Sequence, residues 1–210
     1  MSLQHKLQRS LLATAAAFAC MAAQAQSVTM TFDDIASLNN TALAYGVQFQ
    51  HSSNTHFLLN GATYIPGYTA GKALGYYALS AFTETISLAP GALGTFALHS
   101  LDLGGFYNFL PGETLSIQIT GQRANGSVVT ANQSFSVTQG QMSSYGPAVF
   151  SGFTGLQSLT FSGVGGNNAR YVGVDNVAIT ITPVPEPTTL AMLLAGLGLV
   201  GATVRRRRQA

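Results

Sequence analysis

The chain has no tryptophan, one cysteine and few charged side chains, which make up only 8% of its 210 residues. The cysteine, Cys20, lies in the N-terminal segment 1–25, so removal of that segment leaves no disulfide framework and no thiol chemistry. Positive charge is scarce in the middle of the chain. Six of the nine basic residues sit at the two ends, leaving Lys72, Arg123 and Arg170 against Asp33, Asp34, Glu84, Asp102, Glu113 and Asp175, a net charge of −3. A mildly acidic domain lacks the basic footprint that phosphate backbones require, which excludes nucleic acid as a partner. No stretch between the ends carries a long helical period, and no G-x-S-x-G elbow occurs, so neither a helical bundle nor a recognisable serine hydrolase is indicated.

What is present at the ends is apolar. The first 25 residues open on Lys6 and Arg9, continue apolar from Leu11 to Ala23, and close on the small-residue site Ala23-Gln24-Ala25. That order predicts a secretory signal peptide cleaved after Ala25. Ala17 and Phe18 stand where a lipobox before Cys20 wants a leucine and a small residue, which argues against lipidation. At the other end, Thr188 to Val204 is seventeen residues without a charge. As a helix it covers about 26 Å, slightly short of the ~30 Å hydrocarbon core. Arg205, Arg206, Arg207 and Arg208 follow it as a stop-transfer cluster retained on the cytoplasmic side. Pro185, Glu186 and Pro187 precede it as a helix-breaking, extended segment.

A Pro-Glu-Pro triplet, an apolar helix and a terminal arginine cluster, in that order, resemble the PEP-CTERM sorting signal of Gram-negative bacteria. The resemblance implies that a membrane-embedded exosortase recognises the tail, cuts near the triplet and passes the protein from the inner membrane to the cell surface or the extracellular polysaccharide matrix. The expected organisation is a signal peptide over 1–25, a β-sandwich domain over 26–183 and the sorting signal over 184–210.

Between the ends the hydrophobic period is two. Val28, Met30 and Phe32 share a face, as do Tyr45, Val47 and Phe49, then Leu115, Ile117 and Ile119, then Val177, Ile179 and Ile181. TISLAP, TFALHSLDL, SVVTANQSFSVT and LQSLTFSG are further strand candidates between turn-forming clusters, and QRANGSV predicts a hairpin with Asn125-Gly126 at its tip. Eight to ten short strands with glycine-rich turns predict an all-β, single β-sandwich of jelly-roll type. The succession TFDDI, FALHSLDLGGF, GLQSLTFSG and VDNVAIT is similar to the β-sandwich cargo domains found ahead of PEP-CTERM tails, which themselves resemble carbohydrate-binding jelly rolls.

Two constellations are candidate sites. Asp33 and Asp34 are expected to end the first strand and Asp175 and Asn176 to open the last; neighbouring first and last strands would gather oxygen ligands for a structural calcium. The competing role for these aspartates is to cap turns or to pair with Arg123 or Arg170. Tyr64, Tyr68 and Tyr107 lie in glycine-rich segments read as loops, where ring faces would stack on a sugar; the competing role for such rings is to cover the ends of the core. His51, His56 and His99 have no metal-ligand spacing and read as loop or polar-face positions. GVGGNN, without a following helix, is a loop and not a phosphate site. Scarce acids without recognisable catalytic spacing favour a non-enzymatic surface or matrix protein that contacts polysaccharide or takes part in biofilm. The alternative is a secreted hydrolase acting on the same polysaccharide.

Overall fold

The computed structural model describes residues 24–35, 41–52, 56–60, 71–76, 83–105, 114–136, 141–164, 172–184, 193–194, 196–201, 204–205 and 207. Their strands are β1 (Gln26–Met30), β2 (Thr41–Ala44), β3 (Val47–His51), β4 (His56–Asn60), β5 (Lys72–Tyr76), β6 (Thr83–Leu88), β7 (Gly94–Gly105), β8 (Thr114–Arg123), β9 (Val128–Ser136), β10 (Ser143–Tyr145), β11 (Leu156–Gly163) and β12 (Val172–Pro183). A single helical turn, α1 (Pro147–Phe150), starts on a proline whose missing amide costs nothing at that position.

Alternation is what makes these segments strands. In β8, Leu115, Ile117 and Ile119 are buried while Ser116, Gln118 and Thr120 face outward, and β11 repeats the pattern with Leu159 and Phe161 inside and Ser158, Thr160 and Ser162 outside. The β8–β9 turn forms where the sequence predicts it: Gly126 has φ 84°, and the Asn125 side-chain oxygen accepts from the Ser127 amide at 3.0 Å and its hydroxyl at 2.7 Å.

The strands pair in the order β2-β3-β6-β11-β7-β12-β5-β4, with β1 on β12, β10 on β7, and β8 bridging β11 and β9. β11 meets β7 in register only at Leu156 and Phe96. The curled sheet therefore divides into two six-stranded layers, β9-β8-β11-β6-β3-β2 and β10-β7-β12 continued by β1, β5 and β4. The far edge of β12 is shared, since Val172 to Val174 pair with β5 and Val177 to Ile181 pair with β1. Asn176, at φ 48°, sits where the strand changes partner and side-chain parity.

Inward residues of both layers form one core. Phe49, Ile86, Ile119 and Phe161 from the first meet Phe96, Leu101, Val174 and Ile179 from the second, all at most 1% exposed. Each such side chain contributes about 1.5–3 kcal/mol of burial free energy, so the alternation in sequence becomes the main stabilising term of the fold. The all-β sandwich matches the expectation, with twelve strands among the described residues where eight to ten were expected. β2, β4, β5 and β10 are three to five residues long, and β5 lies inside a glycine-rich segment that reads as loop.

Contacts group Gln26–Ile181 as one compact unit. The N-terminal apolar run lies outside the described residues. In the tail, residues 193–194, 196–201, 204–205 and 207 are helical. Among the described residues no helix is long and apolar enough to cross a membrane.

Candidate functional site

The acidic constellation rests on β1 and β12 being neighbours, and they are: the strands run antiparallel with Met30 opposite Val177 and Gln26 opposite Ile181. The aspartates occupy different positions from those the sequence suggests. β1 stops at Met30, so Asp33 and Asp34 lie in the turn that follows, and Asp175 and Asn176 lie inside β12.

Each carboxylate then has its own task. Asp33 Oδ1 accepts from the Lys72 amide at 2.7 Å, and Lys72 Nζ donates to the Ile35 carbonyl at 2.7 Å, so two bonds fasten this turn to the start of β5. Gly71, at φ +109°, supplies the backbone conformation that brings the Lys72 amide to Asp33. Asp34 accepts from the Tyr45 hydroxyl, whose oxygen in turn accepts from the Phe32 amide at 3.1 Å. Burial, the Asp34 hydrogen bond and the Asp34 charge together push the Tyr45 hydroxyl up to about 12.

On β12, Asp175 is 2% exposed and its Oδ1 accepts from the Asn176 amide at 2.7 Å. Asn176 Nδ2 donates to Asp102 Oδ2 at 2.8 Å, which brings in an acid from β7 that sequence spacing did not connect to this strand. Arg123, a candidate partner for these acids, is directed elsewhere. Its guanidinium donates to the carbonyls of Thr154 at 3.1 Å and Gly152 at 2.6 Å and to Ser127 Oγ at 3.1 Å. Among the described residues no group of three or more His, Cys, Asp or Glu is placed to hold a metal ion. Asp33, Asp34 and Asp175 do not form such a group as described, and a calcium shared by Asp33, Asp34, Asp175 and Asn176 stays a proposal.

A second polar pair lies inside the sandwich. His51 on β3 is the register partner of Glu84 on β6, and the two are 1% and 0% exposed. The loop or polar-face reading of His51 is therefore corrected. His51 continues the inward set Val47 and Phe49, as Glu84 precedes Ile86, and period two places both on the core face. His99 does lie on an outer face, where its Nε2 is 2.8 Å from Thr180 Oγ1. His56 opens β4.

Tyr64, Tyr68 and Tyr107 lie outside the described residues, as do Pro185, Glu186, Pro187, Arg206 and Arg208. Arg205 and Arg207 are exposed on helical residues of the tail.

Residues 183–208 match the PEP-CTERM protein-sorting motif. The motif marks an exported protein that is processed at the membrane by an exosortase on its way to the cell surface. It begins on Pro183, the last residue of β12. No curated protein matches the chain. Among solved structures it is similar to an arabinose-bound α-L-arabinofuranosidase, at TM-score 0.46 and 11% identity over 73% of this chain; it spans only 26% of that enzyme's length. It is also similar to the K1 cleaved adhesin domain of Lys-gingipain from Porphyromonas gingivalis W83, at TM-score 0.43 and 10% identity, covering 76% of this chain and 99% of that one. The xylan-binding CBM22-2 domain of Xyn10C from Paenibacillus barcinonensis gives TM-score 0.41 and 15% identity, with 74% and 99% covered.

Proposed function

We propose that this chain is a non-enzymatic component of the cell surface or extracellular matrix of a Gram-negative bacterium, and that its β-sandwich contacts polysaccharide there. The observation that carries the reading is the position of the sorting motif, which starts on the final residue of the last strand. The whole sandwich is thus the cargo of the sorting signal. The organisation that follows is a signal peptide over 1–25, the sandwich over 26–183 and the sorting tail over 184–210, with the tail holding the precursor in the inner membrane until exosortase acts. The compact unit Gln26–Ile181 supports the middle boundaries.

The described acids support a structural and not a catalytic role. Asp33 and Asp34 tie a turn, Asp102 and Asp175 bond to Asn176, and Glu84 is enclosed by the core. Glycoside hydrolysis by two carboxylates requires them to flank a substrate in an open cleft about 5–9 Å apart, which a residue enclosed in the core does not do.

Fractionation tests the reading. The native chain is expected outside the inner membrane in a shortened form, and a variant with Pro185, Glu186 and Pro187 changed to alanine is expected full-length in the inner membrane. Identical size and location for the two would overturn exosortase-dependent display. Release of reducing sugar from matrix polysaccharide by the purified protein would overturn the non-enzymatic assignment.

A further inference from the structure

The outer face of the layer β9-β8-β11-β6-β3 carries a row that the register lines up strand by strand. Thr130 is opposite Thr120, Thr120 opposite Thr160, Thr160 opposite Thr85, and Thr85 opposite Gln50. The row crosses five strands, about 19 Å at ~4.8 Å per strand. A parallel row, one residue pair along, reads Val128, Gln122, Ser158, Ser87 and Gln48, polar except for the exposed Val128 at its β9 end. Among the described residues, no outward position of these five strands is charged. A soluble surface ordinarily devotes about a quarter or more of its positions to charge, so an uncharged face of this extent, made mainly of hydroxyls and amides, requires a reason.

We propose that this face binds an uncharged polysaccharide, laid across the strands along the threonine row. The inference rests on the polysaccharide-contacting reading above and names its site and its ligand class. Neutrality selects the occupant, because a face without cations offers no counter-charge to an acidic glycan and would desolvate its carboxylates without compensation. Hydroxyl and amide groups both donate and accept, which is what the hydroxyls of a neutral sugar chain require, and they repeat at close to the length of one pyranose unit.

The face is partly ordered before binding. Threonine is stiff at χ1, and the side chains hold one another: Thr85 Oγ1 and Thr160 Oγ1 are 3.3 Å apart, Gln118 Nε2 donates to Asn132 Oδ1 at 3.2 Å, and Ser116 Oγ and Ser134 Oγ are 2.8 Å apart. Less side-chain entropy is then lost on binding. A second copy of the chain is the poorer occupant. Interfaces between copies are built around contiguous apolar cores, whereas the exposed apolar side chains here, Val128 and, on β2, Leu43 opposite Gln48, stand at opposite ends of the face, so pressing it onto another would desolvate polar groups without matched partners. Contacts of this kind are individually weak, so affinity grows with polymer length through repeated engagement.

Affinity electrophoresis of the exported protein, purified after processing, tests the proposal with hydroxyethyl cellulose and galactomannan as neutral probes and alginate as the acidic one. Retardation is expected in at least one neutral polymer and not in alginate. Thr160→Glu, at the centre of the row, is expected to weaken retardation at least about tenfold in apparent Kd, while Thr160→Ser and Thr29→Glu, the latter at an exposed position of β1 in the other layer, keep it within about twofold. Retardation of the native protein left intact by Thr160→Glu would overturn the face and leave polysaccharide contact standing. Absence of retardation in both neutral polymers would overturn the proposal, and retardation by alginate alone would transfer the ligand to the acidic class. A self-associated species in sedimentation that Thr160→Glu abolishes, with no glycan retardation, would assign the face to a second copy.

Discussion

The Tyr45 hydroxyl donates to the carboxylate of Asp34 and accepts from the Phe32 amide, joining the turn after β1 to the turn between β2 and β3. Tyr45 itself holds φ 55° and its ring meets Phe32 edge-on at 6.2 Å. Its hydroxyl is pushed up to about 12, first by burial and then by Asp34, so the fold favours the protonated form. The resulting stabilisation is fully present below the unfolded value of 10.0 and is lost as pH rises through about 12. Tyr45→Phe is expected to cost about 1–2 kcal/mol in urea denaturation at neutral pH. It should also remove a late-ionising tyrosine from the ultraviolet titration.

Glu84 and His51 face each other inside the core, and a buried acid is costly to strip from its surroundings. Glu84→Ala is expected to lower stability by about 3–5 kcal/mol, since it leaves a polar neighbour and a cavity behind. Glu84→Gln keeps shape and hydrogen-bonding capacity and should cost clearly less. Equal urea midpoints for native and Glu84→Ala protein would contradict this account.

Gly121 occupies an inward position of β8 where a side chain has no room. A Cβ there would lie 2.8 Å from Leu156 Cδ2, 3.0 Å from Val129 Cγ1 and 3.2 Å from Phe153 Cδ1. Gly121→Ala is expected to destabilise by about 1–3 kcal/mol through overpacking, read as a lower thermal midpoint. Gly126→Ala is the contrasting variant. Space around Gly126 is open, and its cost comes from φ +84° alone.

Calcium at Asp33, Asp34, Asp175 and Asn176 is tested by melting the processed protein in millimolar calcium and in chelator. A shared ion raises stability by about 2.7 kcal/mol at a hundredfold excess over Kd, an effect that Asp175→Ala should abolish. Superimposable curves would leave these aspartates as the turn and strand acceptors that their bonds to Lys72, Tyr45 and Asn176 already make them.

Much of this protein is determined by local pattern. Period two marks β3, β6, β8 and β11 because successive side chains of a strand point to opposite faces, and the same parity places His51 with Val47 and Phe49. Histidine, only intermediate in its tendency to be buried, obscures that signal at the last residue of a strand. The sorting motif is legible outright, since its triplet, apolar run and arginine cluster are contiguous in sequence. Strand order is not. Nothing local says that Asn176 will meet Asp102, 74 residues away, or that Thr120, Thr160 and Thr85 will fall into one row. Those neighbours exist only once two layers close over a common core, because alternation specifies which face a residue takes while burial of both layers together selects which strands lie side by side.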